Sequence, residues 1–197
     1  MRNDVIQACR AEISNLLEVK WRYNAGILSI NEIFSGWIGL GIGVHRTYLR
    51  LNPNIGIHSS PVMRAVACAY GEKYRAGEFP TLIYPLGEAA PHVQEFIFEN
   101  ANNIQSESRR LAQAVMEFGV QFIHGLANDA EISDKLRLRV GNLGGAPAHY
   151  IASLYLSGRK DEAIHFVKTQ SEIFFRDGLI NEASKIQAVL TWLSGEK

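Results

Sequence analysis

Long apolar runs and any imbalance of charge are missing from this chain. No stretch approaches the roughly 18 apolar residues of a membrane helix, so no membrane span is expected. Lysine and arginine total 20 against 20 acidic residues, which removes the net positive field that usually draws a protein to nucleic acid. The two cysteines, Cys9 and Cys68, are too few for a disulfide framework and each sits in an apolar helical pattern, as small buried hydrophobes do. The opening stretch MRNDVIQACRAEISNLLEV carries Asp4, Arg10 and Glu12 where a secretory signal would keep its apolar core. No targeting peptide is expected, and a reducing cytoplasm is the expected location.

Catalytic signatures are equally scarce. No two of the six histidines stand four residues apart, the spacing of a helical metal pair. No G-x-S-x-G elbow is present and neither cysteine lies in a motif that lowers its pKa. The paired carboxylates are helix-surface neighbours such as Asp161-Glu162. No catalytic residue, metal or cofactor is therefore assigned. The basic stretches Arg109-Arg110 and Lys135, Arg137, Arg139 alternate with leucines or sit within balanced surroundings, which favours solvated edges over nucleic-acid contacts.

What is present reads as α+β. Hydrophobic residues are 47% and charged residues 20% of 197, a globular balance that suits one core with a helical extension. Val5, Cys9, Ile13 and Leu17 recur at helical spacing and predict a helix over about 3–23, closed by Gly26. "SINE", residues 29–32, has the form of a capping box. From Trp37 the period becomes two, and with RTYLRLNPNIGIHSS it predicts a three-stranded antiparallel meander turning at Asn52-Pro53-Asn54. Ser60 followed by Pro61 predicts a helix start, with the stop at Gly71. FPTLIYPLGEAAP reads as an edge strand, because Pro80 and Pro85 lack a donor.

The remainder is read as helices over about 104–126 and 129–138, a linker at VGNLGGAPAHY, then helices to the end. HYIASLYLSGRKDEAIHFVKTQSEIFF, with its small residues and SGRKDEAI turn, resembles one helical hairpin of a tetratricopeptide repeat. The resemblance spans about one 34-residue repeat and no second copy follows, whereas a stack needs three. The expected fold is thus a small antiparallel β-meander packed against helices, followed by a helical C-terminal part. The expected domains are 1–140 for the α+β core and 141–197 for the helical hairpin and final helix.

GWIGLGIGVH carries the functional question. Gly39, Gly41 and Gly43 are spaced by two within a strand pattern, so they match neither a dinucleotide fingerprint nor a phosphate-binding loop. Spacing by two instead predicts a trough on one face, filled by a helix or aromatic ring of the same chain or by a partner. Trp37, His45, Arg46, Tyr48, Arg50 and His58 flank it and form the expected partner-binding surface, since Trp, Tyr and Arg dominate binding energy at interfaces. The function this favours is a non-catalytic protein-binding module that occludes its partner, of the class of toxin-neutralising immunity proteins or defence-associated accessory factors. In that reading acidic residues of nearby helices meet a basic site on the partner. The alternative is a small enzyme or nucleotide-binding domain using the trough, with His45 and His58 as acid and base. Gly144-Gly145, opening a helix, is a weaker candidate for holding an anion.

Overall fold

The structure, a computed structural model, describes residues 1–140 and 146–195. Much of the linker stretch, with Gly144 and Gly145, lies outside the described residues. The fold is α+β, and the chain divides into two compact units: Met1–His58 with Gly77–Leu126, and Ser59–Ala76 with the chain from Ala127 onward. This differs from the expected division at residue 140. Two segments that the sequence places in the core, 59–76 and 127–140, belong with the later helices because their apolar faces are buried there.

The first unit opens with helix α1 (Arg2–Leu16), which buries Val5, Cys9 and Ile13. The predicted helix to residue 23 stops short. Strand β1 (Val19–Arg22) instead pairs antiparallel with β2 (Ala25–Ser29), Trp21 standing opposite Gly26. Gly26 lets the Trp21 ring lie flat, for a Cβ there would come 3.3 Å from Cη2 of the indole. Trp21 Nε1 also donates to Ser14 Oγ at 3.0 Å, tying the hairpin to α1. SINE caps no helix. Asn31 Oδ1 accepts the Ile33 and Phe34 N–H groups at 2.9 and 2.8 Å, so the stretch turns the chain from β2 into β3 (Phe34–Gly39).

Strands β4 (Ile42–Val44), β5 (Leu49–Leu51) and β6 (Asn54–Ser59) follow, then β7 (Leu82–Pro85) and, after the short helix α3 (Leu86–Ala89), β8 (Phe96–Phe98). They form two sheets instead of one meander: a five-stranded sheet in the order β1-β2-β3-β6-β7 and a three-stranded sheet in the order β4-β5-β8. The proline-flanked β7 is an edge strand, as its sequence predicts. A long helix closes the unit as α4 (Ile104–Ala114), a π turn (Val115–Gly119) and α5 (Val120–Gly125). α1 packs on α4 and α5 packs on β3, where Ile123 presses so closely on Gly36 that a Cβ would come within 2.9 Å of it. Ile38, Leu51, Ile55, Phe98, Leu111 and Ile123 are fully buried between these layers.

The second unit is helical: α2 (Ser60–Ala69), α6 (Asp129–Arg137), α7 (Pro147–Leu156), α8 (Lys160–Arg176) and α9 (Ile180–Ser194). The cap of α2 falls on Ser59, in extended backbone, one residue before the expected Ser60. Gly71 follows its end with φ +68°, as the predicted stop requires. PAHYIASLYL is apolar nearly all round, so α7 is central and packs against α2, α6, α8 and α9. Arg159 pins this bundle. Its guanidinium reaches Glu162 at 2.7 Å, Asp134 at 2.9 Å and Ser133 Oγ at 3.2 Å. Among the described residues no helix is long and apolar enough to cross a membrane.

Candidate functional site

The glycine trough does not form, and Gly41 is the reason. It adopts φ +56°, and a Cβ there would collide with the main-chain oxygen of Asn52. Only glycine fits, and the bend it makes sends β3 and β4 into different sheets. Gly39 stays in the five-stranded sheet, where the Trp37 ring covers it: a Cβ would lie 2.6 Å from Cη2. That part of the trough is filled by an aromatic ring of the same chain. Gly43 lies in the three-stranded sheet, where the nearest atoms to an added Cβ are Arg50 O at 3.5 Å and His45 Nε2 at 3.7 Å.

Four of the six expected surface residues come together on the β4–β5 hairpin. His45 N–H donates to Tyr48 O at 3.0 Å to close the turn, and the two rings stack at 4.3 Å with 15° between their planes. Arg50 stands opposite Gly43 on one side and Ile97 on the other. It reaches Glu95 at 3.2 Å, an exposed pair worth about 0.2–1 kcal/mol. Arg46 is exposed at the turn and makes no ion pair among the described residues. Val44, 65% exposed, adds an apolar edge beside it.

Trp37 and His58 are elsewhere. Trp37 sits in β3 opposite Ile27, its indole nitrogen buried without a hydrogen-bond partner among the described residues. His58, 1% exposed in β6, cannot touch a partner protein. Its Nδ1 is 2.7 Å from Phe79 O and its Nε2 accepts from Gly77 N–H at 3.4 Å. Both contacts suit the neutral ring protonated on Nδ1, and burial lowers its pKa, opposed by the Phe79 carbonyl. An acid–base pair of His45 and His58 is therefore not assembled: one ring is in an exposed turn, the other inside.

Below the hairpin lies a cleft of about 660 Å³, lined by Gly41, Gly43, Asn52, Gly87, Gln94 and Phe96. Segment 93–95 is also one wall of a broader bay of about 900 Å³ that holds Glu99, Glu107, Arg110 and Glu117. Arg110 fixes that wall. It donates to Gln94 O at 3.1 Å, to Glu95 O at 2.6 Å and to the Glu107 carboxylate at 2.7 Å, and lies 4.3 Å over the Phe96 ring. No sequence signal foretells Glu95 or Arg110 in these places, because β8 is three residues long and shows no period.

No known family, curated protein or solved structure matches this chain. The chemistry must be read from the side chains alone. Cys9 is buried against Ser108 Oγ at 3.3 Å, and burial pushes its thiol up to about 11, the opposite of what a nucleophile needs. Among the described residues no three His, Cys, Asp or Glu side chains converge to hold a metal ion.

Proposed function

We propose that this chain is a non-catalytic, cytoplasmic protein-binding module that acts by occlusion, in the manner of a toxin-neutralising immunity protein or a defence-associated accessory factor. The observation that carries the reading is the β4–β5 hairpin: a stacked His45–Tyr48 pair, an Arg46 with no ion pair among the described residues and an exposed Val44 presented together. Aromatic and arginine side chains preset in a turn lose little entropy on binding, which is how interface anchors work. Capture from the native host with wild type, Arg46→Glu/Tyr48→Ala and the remote control Arg176→Glu tests it. A stoichiometric protein held by wild type and control, and lost with the double variant, is expected. Equal capture by all three rejects the hairpin as the binding surface.

The cleft favours a second reading, small-ligand binding, because its volume falls in the usual range of about 300–1,000 Å³. A co-purified nucleotide or other small molecule, displaced when Gly87 is changed to Leu, would support it.

A further inference from the structure

The hydrogen-bond phase of the hairpin tells which way each main-chain group of β4 points. Asn52 N–H donates to Gly41 O at 2.9 Å and His45 N–H to Tyr48 O at 3.0 Å, while the register sets Gly43 opposite Arg50. In an antiparallel ladder bonded and non-bonded pairs alternate. Gly41, Gly43 and His45 therefore face β5, and Ile42 and Val44 turn their N–H and C=O groups to the other side. β4 is terminal in its sheet, and those groups have no partner among the described residues. Edges of this kind are usually blocked by proline, lysine or a bulge. This one has Gly41 before it, Gly43 within it and the exposed Val44 at its end.

The geometry points to β4 as a docking edge, along which an extended segment of the partner protein adds as a fourth strand, with apolar residues in line with Ile42 and Val44, an aromatic side chain over Gly43 and a carboxylate at Arg46. This rests on the protein-binding reading and names how the partner is held. Main-chain bonds give affinity in such additions, and alternate side chains give specificity. Gly43 puts no side chain of its own on that face, where His45 Nε2 lies 3.7 Å and Arg50 Cβ 4.0 Å from the Cβ position, so an incoming ring would pack beside these two side chains as a cross-strand aromatic does over a strand glycine. Charge sets the last feature: residues 41–52 include Arg46 and Arg50 and no acidic residue, and of the two only Arg50 has an ion pair among the described residues. The same charge disfavours a second copy in this place. A three-residue edge, about 10 Å long, also falls short of the roughly 1,200 Å² that a stable dimer buries.

The probe is a capped peptide, Thr-Val-Tyr-Val-Thr-Glu-Glu, titrated into the full chain and followed by amide NMR and hydrogen exchange. Shifts and slowed exchange at Ile42 and Val44 are expected, with affinity reduced at least about tenfold in Val44→Pro, kept in Val44→Thr, and reduced about threefold when the peptide ends in lysines. Val44→Pro removes an N–H that β5 does not use, so the hairpin amides Arg50 and Leu51 should keep their shifts and show that it folds. No change at Ile42 and Val44 at about 1 mM peptide, or equal affinity for Val44→Pro, overturns the proposal. Concentration-dependent shifts of these amides without peptide would give the edge to a second copy and overturn it too. The two readings separate in the host capture: a partner lost with Arg46→Glu/Tyr48→Ala but kept by Val44→Pro defeats the edge and leaves the protein-binding reading standing.

Discussion

Individual side chains set the pH response. His58 is held neutral in the folded chain, its pKa below the ordinary histidine value of 6.5 through burial. The unfolded chain takes a proton near pH 6.5 that the folded chain refuses, so stability is full above that value and falls as pH drops below it. Urea unfolding at pH 7.5 and pH 5 should show this loss, and His58→Gln should flatten the slope in that window. An unchanged slope would assign the acid sensitivity to other groups. Gly41→Ala places a Cβ against the Asn52 carbonyl at positive φ and should cost about 1–3 kcal/mol in the same measurement. The two cysteines give a further check: exposed Cys68 should react with a thiol reagent in the native state and buried Cys9 only as α1 opens from α4.

Elements show where the sequence could be read and where not. Helices are visible where one face repeats, as in α6 and α9, or where the stops are chemical, as with Pro61 and Gly71 around α2 and Pro147 and Gly158 around α7. β1–β2 is hidden because its turn uses Tyr23 at φ +53°, a conformation that a tyrosine does not advertise. Trp21 also continues the helical stripe by coincidence, though its ring belongs over Gly26. The hairpin carrying His45, Arg46, Tyr48 and Arg50 is legible from its period of two. The split between sheets is not, since it depends on whether Gly41 is a strand residue or a bend, and glycine suits both. At this scale Arg110→Ala should free the Gln94–Glu95 wall, loosen the Arg50 contact and cost about 1–2 kcal/mol. Faster amide exchange at residues 96–98 would report it, whereas unchanged exchange would show that packing on α4 suffices.

Across the whole molecule the two units are interleaved in sequence, for the chain leaves the first after His58, returns at Gly77 and leaves again after Leu126. The expected boundary at 140 rests on linker composition, whereas the passage at 58–59 falls within β6, where no linker composition marks it. Truncation after Arg139 should accordingly remove the packing partners of α2 and bare Val62, Ala65 and Val66. Increased binding of a hydrophobic dye and a lower melting temperature are expected. A truncated chain as stable as the parent would show that α2 needs no cover.

The same interleaving imposes an order on biosynthesis. α2 leaves the ribosome about 80 residues before α7 and about 110 before α9. At roughly 5–20 residues per second, several seconds pass in which its apolar face has nothing to rest on. The first unit can close behind it while α2 hangs outside as an amphipathic loop. Nascent-chain handling by chaperones should therefore concentrate on residues 60–69, and a slow stretch of translation ahead of α7 would prolong that interval.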